Sequence, residues 1–152
     1  MSASEAPRLF TVEEAERTLP LVRRIVNDIV EANGRLAKLL PALRRERLQA
    51  RRSGPGGATP DDLERLRTEV AQLSGWLEGY LRELGQVGCG LHDVAGSVDF
   101  PSRLDDEPVR LCWRLGEDEI RWWHPPRAGA RDRRPLPASA LEPTAACRDG
   151  DG

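Results

Sequence analysis

The chain has 152 residues, of which 39% are hydrophobic and 32% are charged, and its formal net charge at pH 7 is −2. This composition is typical of one soluble, helix-rich domain and argues against a disordered chain and a basic nucleic-acid-binding module. No apolar run approaches the ~20 residues that cross a bilayer, and the N-terminus lacks the apolar region of a secretory signal. We therefore expect a cytoplasmic protein with no membrane partner.

The three cysteines, Cys89, Cys112 and Cys147, are odd in number and unrelated in spacing. That pattern argues against a disulfide framework and against a four-ligand structural zinc site. We expect reduced thiols.

The first half of the chain has the pattern of two helices. Thr11 and Glu14 form a capping box, which predicts a helix start. Pro20 predicts either a short helical turn over 12–18 followed by a longer helix, or one continuous helix kinked at the proline. After the flexible break at 53–58, a second helix is predicted to begin near Pro60.

Both helices carry apolar residues at heptad spacing. The two leading seams are Val22, Ile29, Leu36 and Leu43, and Leu63, Val70, Leu77 and Leu84. Two such helices joined by a short loop are expected to pack antiparallel, as a helical hairpin over 11–85. These seams exceed what one hairpin and a small sheet can cover, so we expect a homo-oligomer, most simply a dimer.

Beyond Gly88 the apolar period changes to two. Weak strand patterns over 89–94 and 97–101 are followed by an acidic loop at 104–108 and a hairpin over 109–124. The sequence thus predicts an α+β fold, with the helical hairpin followed by a small antiparallel sheet of three or four strands. Residues 1–136 are expected to form one domain, with a β-region over 87–124, a closing loop over 125–136 and a flexible tail over 137–152.

The hairpin pattern also predicts a register. Leu115 is expected opposite Ile120, Trp113 opposite Trp122, and Leu111 opposite His124, since a one-residue shift would set apolar residues against arginines. Trp123 is then predicted on the other face, with Cys112.

Several motifs of the chain are similar to those of a known family. The strings GLHDVAGSVDFP, VRLCWRLGEDEI-RWWH and GARDRRPL, with the opening FTVEEAERTLPLV, resemble a small bacterial domain family of unknown function. DFP and LCWR-GE-I-WH are the specific elements. The resemblance implies a fold but no activity. The chain departs from the family pattern at His92, where a lysine is expected, and at Ala130 and Asp132, which replace an aromatic residue and a glycine.

The polar candidates for a site lie in the β-region. They are Asp93, Asp99, Glu117 and His124 as ligands, and Arg114 as an anion-binding or pairing residue. Carboxylate and imidazole groups within one small sheet suit Zn, Mn or Ni. Glu117 and His124 lie at opposite ends of the predicted hairpin, so Asp93 or Asp99 is the easier partner for His124.

His124, which precedes two prolines, is expected at the rim of the sheet, where its replacement would cost little stability. Two functions fit these features. The first is a self-associating interaction or scaffold module, and a protein partner is compatible with it. The alternative is a small metal- or ligand-dependent enzyme with its site near His124. The sequence assigns no catalytic residue.

Overall fold

The computed structural model describes residues 8–53 and 60–141. Its architecture is α+β, with a helical hairpin packed on a five-stranded antiparallel sheet whose strands follow the order β1-β2-β3-β4-β5. The elements are α1 (Val12–Ser53), α2 (Pro60–Val87), β1 (Gly90–Asp93), β2 (Ser97–Leu104), β3 (Glu107–Arg114), β4 (Trp122–His124), a 3-10 turn (Ala130–Asp132), β5 (Arg134–Pro135) and α3 (Ala138–Leu141).

The predicted capping box begins α1. The Thr11 amide donates to Glu14 Oε1 and the Glu14 amide donates to Thr11 Oγ1, both at 3.0 Å. The helix then runs without a break through Pro20 and Pro41, so the continuous alternative is the one observed. Pro20 is exposed, and its ring therefore lies away from the buried stripe. The cost of each proline is one missing backbone hydrogen bond.

The heptad seams form the contact between the helices, but unequally. All four leading positions of α1 are buried. In α2 only Leu84 of the leading seam is buried. A second heptad seam of α2 consists of Leu66, Leu73 and Tyr80, of which Leu73 is buried; the other residues of both seams are half-buried. Much of the predicted break at 53–58 lies outside the described residues.

The sheet has five strands, whereas three or four were predicted. The stretch 104–108, which we expected to be an acidic loop, is mostly strand, because β2 and β3 are joined by a tight turn at Asp105 and Asp106. Their φ angles of 51° and 65° are in the left-handed region, which Asp tolerates better than most residues.

The predicted register between β3 and β4 is wrong by one residue. Cys112 pairs with Trp122, Leu111 with Trp123, and Arg110 with His124. Trp113 is therefore not the partner of Trp122; its neighbour on β2 is Val98.

The connection over 115–121 explains this shift, because it is too long to act as a tight turn. Ile120, expected in the strand, instead inserts fully into the core. Its amide donates to Glu16 Oε2 at 3.0 Å, which ties the connection to α1. Turn geometry therefore did not fix the register, and tertiary packing did.

The sheet has an inner face toward α1 and an outer face away from it. The inner face joins the core of α1 through Val98, Phe100, Leu111 and Trp113, all fully buried. The outer face carries Asp99, Cys112, Trp122 and His124. Trp123 therefore lies on the inner face, opposite Leu111, and not with Cys112 as predicted.

The outer face is covered by the closing segment, residues 125–136. Its end is anchored by the Leu136 amide, which donates to the Arg121 carbonyl at 2.9 Å, and by the buried Leu136 side chain. The expected flexible tail over 137–152 begins with a helical turn, α3, in which Ala140 packs against the core. Residues 142–152 lie outside the described part of the chain.

Trp113 should be the most costly tryptophan to remove. It is fully buried, and its Nε1 donates to the Glu117 carbonyl at 3.0 Å. Trp113→Ala should lower the free energy of unfolding by about 3–5 kcal/mol, as expected for a core aromatic residue. The control is Trp76→Ala, which removes a side chain that is 49% exposed. Equal denaturation midpoints for the two variants would contradict the burial of Trp113.

Candidate metal centre

Three side chains from three strands converge on the outer face of the sheet. His92 on β1 lies with its Nδ1 3.2 Å from Asp99 Oδ2, and His124 on β4 lies with its Nε2 3.2 Å from Asp99 Oδ1. One ligand atom from each residue can be chosen so that all three lie within 4.8 Å of one another. We call these three residues the His-Asp-His cluster.

Strand alternation places His92 on the same face of the sheet as Asp99. Gly90, two residues before His92, is the direct partner of Asp99 on β2. The pairing of β1 with β2 also shifts by one residue between Leu91 and Asp93, where His92 lies, and such a bulge adjusts the direction of a side chain. The two rings of His92 and His124 lie with their centroids 5.8 Å apart.

The hydrogen bonds of His124 define which of its ring nitrogens is available. Its Nδ1 lies 2.8 Å from the carbonyl oxygen of Pro125. A carbonyl only accepts, so Nδ1 carries a hydrogen, and in the neutral ring Nε2 then has a lone pair. That lone pair faces Asp99 Oδ1, and an ionised carboxylate also only accepts. The contact therefore requires a proton or a metal ion between the two atoms.

The three side chains of the cluster differ in how far they are exposed. The His124 side chain is 2% exposed, Asp99 14% and His92 31%. The expectation that His124 lies at the rim is wrong, because the closing segment covers it. Its removal would leave a cavity and two unpaired polar groups, which is costly.

The spacing between neighbouring members of the cluster is that of adjacent metal ligands. Two ligand atoms, each about 2.0–2.1 Å from a zinc ion, are about 2.8–3.4 Å apart for octahedral or tetrahedral angles. His92 Nδ1 and His124 Nε2 are each 3.2 Å from a different oxygen of Asp99, and one ligand atom from each of the three residues lies within 4.8 Å of the other two. The bond from Nδ1 to a backbone carbonyl is also how metal-binding histidines are usually oriented.

The closing segment passes over His92. A Cβ atom added to Gly129 would be 3.5 Å from His92 Nε2, so backbone lies close to this ring. His92, the most exposed member of the cluster, is thus in contact distance of the closing segment.

The other sequence candidates lie outside the cluster. Asp93 caps the turn after β1, where its Oδ1 accepts from the amides of Ala95 and Ser97 at 3.0 and 3.3 Å. Glu117 accepts from the Arg114 amide at 2.9 Å and forms an ion pair with Arg133 at 2.8 Å. The Arg114 side chain is exposed at the far end of β3.

Sequence reasoning did not include His92 among the ligands. The available signal was that His92 and Asp99 flank the Ala95-Gly96 turn at similar distances, which places them near each other in a hairpin. Arg133, whose side chain is 11% exposed, was also missed as the partner of Glu117.

The described thiols have raised pKa values. Burial raises the pKa of Cys89 from 9.0 to about 12. Burial also raises the pKa of Cys112, although the nearby Arg133 guanidinium opposes that shift. Both thiols are therefore protonated at neutral pH, which argues against a nucleophile or a thiolate ligand here. Cys147 lies outside the described residues.

Comparison with known proteins identifies a family but no activity. The sequence matches DUF2203, a family of uncharacterised conserved proteins, over residues 8–136. The chain belongs to this family, as its motifs suggested. No curated protein and no solved structure matches it. In the described part of the chain, no helix is long and apolar enough to span a bilayer.

The raised thiol pKa values predict slow labelling. In a Cys147→Ser background at pH 8, Cys89 and Cys112 should react with a thiol reagent at least about a hundredfold more slowly in the native protein than in urea. The unfolded thiol of Cys89 ionises first as the pH rises from 9.0 toward about 12, so stability should fall across that interval. Fast labelling of the native protein would show that these thiols are accessible.

Proposed function

We propose that this protein binds one divalent transition metal ion through His92, Asp99 and His124. The observation that carries the proposal is the pair of facing acceptors, His124 Nε2 and Asp99 Oδ1, at 3.2 Å. The Pro125 carbonyl fixes the ring so that Nε2 presents its lone pair toward Asp99, as a metal ligand would.

The type of ligand set supports a reactive rather than a structural ion. Structural zinc sites use four protein ligands, whereas catalytic sites use three and keep a position open. Two histidines and one carboxylate suit Zn²⁺, Mn²⁺ or Ni²⁺, and this set also occurs with open-site Fe²⁺. When bound, such an ion polarises a coordinated oxygen and lowers the pKa of coordinated water. These points favour the small metal-dependent enzyme among our two hypotheses.

The protein residues have separate roles in this proposal. His124 and Asp99 form the buried, pre-oriented part of the site. His92, which is more exposed, completes the ligand set from the solvent side. The closing segment limits water access, because Gly129 lies over the His92 ring.

Calorimetric titration with Zn²⁺, Mn²⁺ and Ni²⁺ tests this function. The wild-type protein should take up one equivalent of at least one of these ions. His92→Lys should weaken its affinity by at least about a hundredfold, since a protonated lysine pairs with Asp99 but has no lone pair for a metal. Circular dichroism should show an unchanged fold, because His92 is the least buried member of the cluster.

The matched control is Asp93→Asn. It removes the carboxylate next to His92, while the asparagine oxygen can still accept from the amides of Ala95 and Ser97. Metal affinity should not change. Absence of metal uptake by the wild-type protein, or equal affinities for wild type and His92→Lys, would refute the metal site.

A second candidate function is a self-associating interaction module. The observation that favours it is apolar exposure on the hairpin: Leu40, Leu48, Trp76 and Leu81 are 40–49% exposed. Most residues of the leading seam of α2 are also only half-buried. The heptad residues thus have apolar surface that the hairpin and the sheet leave uncovered. This surface is on the helices, and the His-Asp-His cluster is on the opposite side of the sheet.

Sedimentation equilibrium at tens of micromolar, an order-of-magnitude range, tests self-association. The wild-type protein should be a dimer, and Trp76→Lys should shift it toward monomer by at least about tenfold in the dissociation constant. The control is Val94→Lys, at a residue that is 57% exposed in the turn between β1 and β2. A monomeric wild type would exclude the dimer.

A further inference from the structure

Arg110 is the charged neighbour of the His-Asp-His cluster within the sheet. Its register places it between Pro101 on β2 and His124 on β4, on the outer face. Directly opposed residues in an antiparallel pair have their Cβ atoms about 4.5–5.5 Å apart. The side chain of Arg110 therefore begins beside the ring of His124.

The guanidinium of Arg110 has no counter-ion in the described part of the chain. The residue is half-buried, and no ion pair or side-chain hydrogen bond connects it to residues 8–53 or 60–141. Partial burial of an uncompensated charge is unfavourable, so such an arginine is expected to gain from an anionic partner.

Arg133 provides a second cation on the same face. Its guanidinium stacks on Trp122 at 4.9 Å, and its Nη2 donates to Glu117 and to the Cys112 carbonyl at 2.8 and 3.3 Å. Its Nε is buried without a hydrogen-bond partner, the one such side-chain nitrogen or oxygen in the described ranges. Arg133 therefore keeps an unused donor although it already forms an ion pair.

The two arginines lie at two neighbouring cross-strand rows, each of which contains one ligand. Arg133 lies over Cys112 and Trp122, in the cross-strand row that contains Asp99, while Arg110 lies in the next row, which ends at His124. With a divalent ion in place, Asp99 and Glu117 do not neutralise the positive charge of this face. An anion would restore the balance, and the open coordination positions are where its oxygens would bind.

We propose that a small oxyanion, either a carboxylate or a phosphate, is the ligand of this metal centre, with Arg110 as its counter-ion. This inference rests on the proposed metal site and names the substrate class of that site. Guanidinium groups bind both oxyanions through charge-assisted hydrogen bonds, so the shared chemistry is the oxyanion itself.

The test uses the full chain loaded with the ion that it binds most tightly, after removal of free metal. Inorganic phosphate and oxalate are titrated separately by calorimetry, and the tighter of the two identifies the oxyanion type. Arg110→Gln should weaken binding of that anion by at least about tenfold and leave metal affinity unchanged, because glutamine keeps part of the aliphatic stem and a polar end but removes the charge.

The matched control is Arg114→Gln, on the same strand and the same face, four residues or about 13 Å along β3. This variant should bind metal and anion like the wild type. If the loaded wild type binds neither anion, or if Arg110→Gln and Arg114→Gln bind equally well, the oxyanion site is refuted while the metal site stands. If the wild type takes up no metal before any anion is added, the proposed function itself fails, and this inference fails with it.

Discussion

Burial of β3 on both faces is the constraint on which the rest of the structure depends. Trp113 and Leu111 bury against α1 on the inner face, and Cys112, on the opposite face of the same strand, is equally buried. When a strand is covered on both sides, water cannot satisfy the hydrogen bonds of the polar groups beside it. The closing segment must therefore bring partners with it, and Arg133 does so by donating to Glu117 and to the Cys112 carbonyl. Because the outer face is covered, Asp99 and Glu117 pair with side chains of the protein itself.

The His-Asp-His cluster follows from the same constraint. Asp99 is nearly buried, and each of its oxygens faces one imidazole. A buried carboxylate is tolerated only when it is paired, and two histidines provide that pairing through hydrogens or through a shared metal ion. In both forms the Pro125 carbonyl keeps Nδ1 of His124 as a donor, so Nε2 is the nitrogen that faces Asp99. The polypeptide that covers the ring thus also sets which nitrogen is available to a ligand.

Local sequence patterns were enough to predict the helices. They were insufficient where contacts between distant segments determine the structure. The capping box at Thr11 and the α1 seam are short-range signals, and both occur as expected. The register of β4 failed because alternation identifies a strand only when one face is solvated. Here Leu111 and Cys112 are both buried, so the expected mismatch of apolar residues with arginines after a one-residue shift did not exclude the observed register. His92 was not among the predicted ligands, although it and Asp99 lie at similar distances from the Ala95-Gly96 turn and strand alternation places both on one face. His124 and Asp99 were chosen as candidates because they differ from the apolar residues around them.

α1 links the two regions for which functions are proposed. Along most of its length it packs on α2, while near its N-terminus it also holds the connection between β3 and β4. There Glu16 accepts from the Ile120 amide, and Arg23 donates to the Glu117 carbonyl at 3.4 Å. Glu117 in turn holds Arg133, and through it the closing segment that covers His124. Ligand binding on the outer face and packing of the hairpin are therefore joined by one short chain of hydrogen bonds. A ligand that binds only the folded state stabilises every contact on which its site depends. A bound ion that stabilises the closing segment would therefore also stabilise the connection between β3 and β4, which α1 anchors.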